Sequence, residues 1–176
     1  MNPAPDTDLR IFLVRHAHAA WASPGMRDFD RPLDERGREE ATRLAATMTV
    51  NGFEPELVYC SSARRCVETL EVALLHMDFN LRIEYSDTLY AAGHDAYLNL
   101  IEAARDQAVG SIMIIAHNPM IEDTAQALLQ GDPAVFETVL GQGFPTAGLL
   151  IVDRDRTAGA IQHGARFIDL LSPVDA

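Results

Sequence analysis

Short apolar runs and helical repeats of apolar residues take turns along this chain. Leu9 to Val14 is a run of the first kind and predicts a short buried strand. From Arg15 to Leu33 periodicity disappears, and Pro24, Gly25 and Pro32 punctuate the backbone, so a long loop is expected. At Asp34 the spacing changes: Ala41, Leu44, Ala45 and Met48 fall at i, i+3, i+4 and i+7, one stripe of a helix. Asp34 is placed to cap that helix, and Asn51-Gly52 to end it. Leu57 to Cys60 predicts a second strand, followed by a helix with Cys66, Val67, Leu70 and Leu74 on its apolar face. Leu81 to Tyr85 alternates weakly, as a peripheral third strand would, and Asp95 to Gln107 reads as a helix through Ala96, Leu100 and Ala103. Ser111 to Ala116 is an apolar run of the kind found in a central strand covered on both faces.

Asn118-Pro119 then offers an N-cap and a first-turn proline to a helix that packs Ile121, Ala125 and Leu128. Ala147 to Val152 and Ala165 to Leu170 complete the strands. Strands alternating with helices predict an α/β three-layer sandwich, with helices on both faces of a mostly parallel central sheet. Residues 1–8, with two prolines and two aspartates, read as a flexible tail, and residues 9–176 as one domain.

Composition narrows the function classes. The 176 residues are 48% apolar and 23% charged, an ordinary globular balance. Apolar runs such as Ile112 to Ala116 and Gly148 to Val152 are too short to span a bilayer, and no charged-then-apolar leader opens the chain, so a cytoplasmic protein is expected. The two cysteines, Cys60 and Cys66, are too few for a disulfide framework and are not spaced as CxxC. A net charge of -12 with a pI near 4.7 repels nucleic acid and anionic membranes. An anionic substrate must then be held by a few cations gathered locally, which makes clustered arginines and histidines informative.

Such residues stand at three predicted strand ends: Arg15-His16 after the first, Arg65 after the second and His117 after the fourth. Open α/β sheets bind ligands beyond the carboxyl ends of their strands. Arg65 falls in the first turn of its helix, where side chains lean back toward the N-terminus and so toward the strand end. Helix N-termini after Ser62 and Asn118 add dipoles of the sign that attracts anions. Phosphate fits this set, because arginine grips it through paired hydrogen bonds. His18, His76, His94 and His163 lack such company and are read as ordinary hydrogen-bonded side chains.

Leu13-Val14-Arg15-His16-Ala17 resembles the RHG or RHA signature of the histidine phosphatase superfamily. Ser61-Ser62-Ala63-Arg64-Arg65-Cys66-Val67-Glu68-Thr69 resembles its SPxxRAxQT segment and puts the family arginine at Arg65, not Arg64. Ala116-His117-Asn118-Pro119 is similar to its second histidine motif. Asp28-Phe29-Asp30-Arg31-Pro32-Leu33, followed by Glu35-Arg36-Gly37, resembles the small SixA-like phosphohistidine phosphatase branch. The resemblance implies a phosphoglycerate mutase-like fold and a two-step reaction that uses no metal and no cofactor. His16 attacks phosphorus, and water then frees inorganic phosphate from the phosphohistidine intermediate. Arg15, Arg65 and His117 hold the phosphoryl oxygens, and the two arginines keep the His16 imidazole neutral. Arg31 is a candidate for a further substrate contact.

Larger members carry an acidic proton donor soon after the third strand. Here that stretch reads Thr88-Leu89-Tyr90-Ala91-Ala92, with Asp87 out of register. The segment between the third and fourth strands has room for one helix and none for a bulky lid, which favours a phosphorylated protein bearing phosphohistidine over a small phosphorylated metabolite. Two readings from other classes compete. His16, His18 and His117 could ligate a metal, although no carboxylate cluster accompanies them. A phosphate-binding module without turnover would need no neutral nucleophile.

Overall fold

The structure, a computed structural model, describes residues 8–78, 80–130, 133–161 and 163–172. Its elements in chain order are β1 (Asp8–Arg15), a 3-10 turn (Asp28–Asp30), α1 (Glu35–Asn51), β2 (Leu57–Ser61), α2 (Arg64–Leu74), β3 (Arg82–Ser86), α3 (Thr88–Ala91), α4 (His94–Arg105), β4 (Ser111–Ala116), α5 (Met120–Leu129), α6 (Pro133–Leu140), β5 (Leu149–Asp155) and β6 (Ala165–Leu171). Among the described residues the strands form one sheet in the order β3-β2-β4-β1-β5-β6. The pairs β2–β3, β2–β4 and β1–β4 are parallel, and β5 and β6 close one edge antiparallel. The sheet is therefore the mostly parallel one that the sequence predicts.

Side chains that alternate along a strand feed two cores. Leu9, Ile11 and Leu13 of β1 join Tyr97 and Ile101 of α4 and Ile121, Ala125 and Leu128 of α5 on one face. Phe12 and Val14 join Leu44 and Met48 of α1 and Cys66 and Leu70 of α2 on the other. β4, buried along its whole length, lies between β2 and β1. Its helical connections run on opposite faces from those of β1, so the ends of β1, β4 and β2 adjoin at a crevice. This is the switch point at which such sheets bind ligands.

The caps of α1 form as the residues require. The Asp34 side chain accepts from Gly37 N–H at 2.9 Å, and Gly52 closes the helix with a left-handed φ of 65°. Gly37 has a second reason to lack a side chain, since a Cβ there would lie 1.9 Å from the carbonyl oxygen of His18. That close approach brings the start of α1 against the loop that follows β1.

Several sequence expectations change. Asn118 does not cap α5, because its amide donates to Glu122 at 3.0 Å; Pro119 takes the N-cap position and the helix starts at Met120. The buried stripe of α4 is Tyr97, Ile101 and Ala104, one residue on from the expected Ala96, Leu100 and Ala103; Tyr97 fills the core, and Ala96 and Leu100 pack at its margin. β5 runs two residues later at its start and three later at its end than expected, and α3 and α6 were not foreseen. Asp8, placed in the tail by sequence, pairs with Asp155 in β1; the rest of the expected tail lies outside the described residues.

Candidate active site

His16, Arg65 and His117 meet at the crevice. His16 follows β1 and is held there by its own backbone N–H, which donates to Ala116 O at 2.9 Å and so ties it to the end of β4. Its Nδ1 lies 2.7 Å from the Ala17 carbonyl oxygen. A carbonyl can only accept, so Nδ1 carries the proton and the lone pair sits on Nε2. Arg65 Nε donates to that Nε2 at 3.1 Å. The rings of His16 and His117 are 5.4 Å apart, and Ser61 Oγ lies 2.8 Å from Nε2 of His117. Thr69 joins the two sides of the crevice: its hydroxyl donates to Arg65 O at 2.6 Å and accepts from Ala17 N–H at 3.0 Å.

The site has an aspartate that the sequence analysis did not single out. Arg65 NH1 donates to the Asp28 carbonyl at 2.7 Å and NH2 to the Asp28 carboxylate at 3.0 Å. The same carboxylate accepts from Arg31 NH1 at 3.0 Å and from the Tyr90 hydroxyl at 3.2 Å. Arg31 also donates to Ala20 O at 2.8 Å, so it reaches the crevice through Asp28. Asp28 lies 37 residues before Arg65 in a loop without periodicity, and only its place in the Asp28–Leu33 motif could have pointed to it. Arg15 donates NH1 to Phe144 O at 2.7 Å, and among the described residues its buried Nε has no hydrogen-bond partner.

The loop after β1 is pinned by carboxylates from two helices. Glu40 of α1 accepts from His18 N–H at 2.8 Å, and Glu68 of α2 accepts from Leu33 N–H at 2.8 Å. His18 turns its own Nδ1 to Asp34 at 2.7 Å. It is engaged there rather than with His16 and His117, so the geometry does not gather the three histidines that a metal site would need. Arg64, beside Arg65 in sequence, points outward and donates to Glu68 at 2.7 Å.

Burial is the main force on the two imidazoles. It pushes His16 down to about 3, despite the Ala17 hydrogen bond that opposes it; the charges of Arg65, His117 and Arg15 add to the lowering. His117 is pushed down to about 4, again by burial first and then by Arg65. The arginines alone were expected to keep His16 neutral, and desolvation proves the larger cause. Cys66 Sγ lies 3.5 Å from Nε2 of His117, and burial pushes its thiol up to about 12, so no thiolate competes with the imidazole.

Depressed histidines tie stability to pH. The unfolded chain binds protons on these residues from about pH 6.5 downward, whereas the folded chain does not until about pH 4 for His117 and pH 3 for His16. Protons thus favour the unfolded state across that window, and stability falls as pH falls by up to about 1.4 kcal/mol per pH unit and histidine. Urea unfolding at pH 7 and pH 5 checks this, with a smaller loss expected for His16→Gln than for wild type. An equal loss would show that His16 is not buried neutral.

A groove of about 640 Å³ lies at the other end of the sheet, lined by Arg10, Asp153 and Arg156 among others. Its cations are already engaged. Arg10 pairs with Asp153 at 2.7 Å, and Arg156 donates to the carbonyls of Arg105, Gln107 and Val109. The reactive imidazoles are elsewhere, so the crevice is the better candidate.

Comparison with known proteins gives the family and the fold. The model of the Histidine phosphatase superfamily (branch 1) matches residues 11–97, which include Arg15, His16 and Arg65. A solved structure from Agrobacterium tumefaciens, assigned as the phosphohistidine phosphatase SixA, is 39% identical with a TM-score of 0.81, covering 96% of this chain and 99% of that one. An uncharacterised protein of Mycobacterium leprae is 30% identical over 154 residues, 85% of this chain and 91% of its own length. An uncharacterised chloroplastic protein of Arabidopsis thaliana is 29% identical over 135 residues, and the match spans 62% of its length.

Proposed function

The chain belongs to the histidine phosphatase superfamily, and from that premise we propose that it hydrolyses phosphohistidine on a partner protein through a phosphoryl group carried on His16. The observation that carries this reading is the His16 ring: Nδ1 is committed to a carbonyl, and Nε2 keeps its lone pair beside the Arg65 guanidinium. In the first step Nε2 forms a bond to phosphorus as the bond to the leaving group breaks. In the second, water attacks phosphorus, the N–P bond breaks, and the electron pair returns to Nε2. Arg65, Arg15 and His117 stabilise the charge that spreads over the phosphoryl oxygens. Arg31, one hydrogen bond behind Asp28, supports the same network and borders the substrate. The chemistry assigned to these residues needs no metal or cofactor, and its product is inorganic phosphate.

Two features favour phosphohistidine. The relative from Agrobacterium tumefaciens carries that name. The site also has a carboxylate but not a carboxylic acid. Burial alone would raise Asp28, yet bonds from Arg31, Arg65 and Tyr90 outweigh it and hold the carboxyl below its usual range. An alkoxide leaving group needs a proton that an ionised Asp28 cannot give. An imidazole departs already protonated, and a phenolate tolerates its charge. General-acid help is worth about 10²- to 10⁴-fold where a leaving group needs it. The expected order of kcat/KM is therefore phosphohistidine peptide, then p-nitrophenyl phosphate, then phosphoserine, unchanged by EDTA. Equal or better turnover of phosphoserine would favour the alternative, a phosphatase for small phosphate esters. The segment from β3 to β4 agrees with a protein substrate, since it holds only α3 and α4, and α4 packs into the core rather than over the crevice. A cytoplasmic location completes the reading; among the described residues no helix is long and apolar enough to cross a membrane.

A further inference from the structure

We propose that Tyr90 sets substrate choice by offering its aromatic ring to a planar leaving group, the imidazole of phosphohistidine or an aryl ring. This rests on the phosphatase reading above and names the residue that distinguishes one leaving group from another. After β3, the four-residue α3 brings a phenol to the crevice. The Tyr90 ring centre lies 5.5 Å from that of His117 and 5.0 Å from that of Phe29, and the Arg65 guanidinium carbon is 6.0 Å from it. The ring thus adjoins two of the groups assigned to the phosphate while 38% of the residue remains exposed. In-line attack by His16 sends the leaving group away from Nε2, and Tyr90, in ring contact with His117 and partly exposed, offers it an aromatic surface at the crevice.

The ring is well anchored. Its hydroxyl donates to Asp28, and the neighbouring Leu89 carbonyl accepts from the buried Tyr97 hydroxyl at 2.6 Å, which fixes α3 to α4. A tyrosine held in this way loses little conformational freedom when a second ring packs on it. The hydroxyl is a poor candidate for proton donation, because burial and the Asp28 carboxylate both push the phenol up. The ring is what remains to act.

The test compares two P–N substrates that differ in the ring. Phosphoimidazole carries one, and phosphoramidate does not. The readout is the ratio of their kcat/KM values for wild type, Tyr90→Phe and Tyr90→Ala, each checked for folding by circular dichroism. Tyr90→Ala is expected to lower the ratio about 5- to 10-fold, chiefly through KM for phosphoimidazole, the scale of an aromatic pair. Tyr90→Phe should keep it. An unchanged ratio in Tyr90→Ala would overturn the proposal by showing that the ring serves only the fold or the Asp28 contact. A fall in Tyr90→Phe equal to that in Tyr90→Ala would overturn it in favour of the hydroxyl. Phenyl phosphate against methyl phosphate repeats the comparison on P–O bonds. If neither P–N compound is hydrolysed but the phenyl preference still collapses in Tyr90→Ala, the phosphohistidine reading fails while the role of the ring stands.

Discussion

His16→Ala protein is expected to fold and to have lost hydrolysis by more than about four orders of magnitude, the scale of removing a nucleophile. No neighbouring group can replace it. His117 has Ser61 at its Nε2, Cys66 is a neutral buried thiol, and Asp28 is held by hydrogen bonds from Arg31, Arg65 and Tyr90. The fold should survive, because His16 contributes to neither apolar core and its backbone bond to Ala116 persists in alanine. The wild-type protein, mixed briefly with labelled substrate and quenched in alkaline denaturant, should carry phosphate on a histidine. The geometry is more specific still. Nδ1 is occupied by the Ala17 carbonyl, so the label should be on Nε2. The two isomers of phosphohistidine are separable by chromatography after proteolysis. The bond should be labile in acid and stable in alkali, as a phosphoramidate is. Label on Nδ1, on Ser61 or on Asp28 would refute the assignment.

The parts of this site that could be read from sequence are those that sit beside a strand end. His16 and His117 each follow the last residue of a strand, so the strand that fixes their position also reveals it. Arg65 could be placed because a helix begins at Arg64 immediately after β2. Asp28 could not, because it belongs to a loop whose course is decided by distant carboxylates, Glu40 and Glu68, rather than by any local repeat. The same limit applied to Tyr90. In sequence its segment shows only a missing carboxylate, and the contact of Tyr90 with His117 shows what stands there instead. Periodicity located α4 but misjudged its buried stripe, since alanines at one spacing and Tyr97 with Ile101 at the next offer two similar faces. The arginines are visible in the sequence and the burial is not, so a neutral His16 follows there from the lesser of its two causes.

Arg65→Ala is expected to lower kcat/KM by about 10²- to 10³-fold, with most of the loss in kcat, as for an oxyanion donor whose contact strengthens in the transition state. The side chain is only 7% exposed and each of its nitrogens has a partner: Nε on His16, NH1 and NH2 on Asp28. Removing it does two kinds of harm. The phosphoryl oxygens lose a charged donor beside the nucleophile, and the Asp28 carboxylate loses a neutralising partner close to an incoming dianion. Arg65→Lys should recover only part of the activity, since an ammonium restores charge without the planar fork that contacts His16 and Asp28 together. Arg64→Ala supplies the contrast. Its side chain is 53% exposed and pairs with Glu68 one helical turn away, an arrangement worth about 0.3 to 0.5 kcal/mol. Glu68 keeps its bond to Leu33 N–H when Arg64 is gone, so the loop stays in place and kcat/KM should change by about twofold at most. The three variants, assayed on p-nitrophenyl phosphate at one pH, separate the positions without knowledge of the physiological substrate. A greater loss in Arg64→Ala than in Arg65→Ala would mean that the guanidinium facing His16 is not the one that holds phosphate, and would remove the basis for assigning this crevice its chemistry.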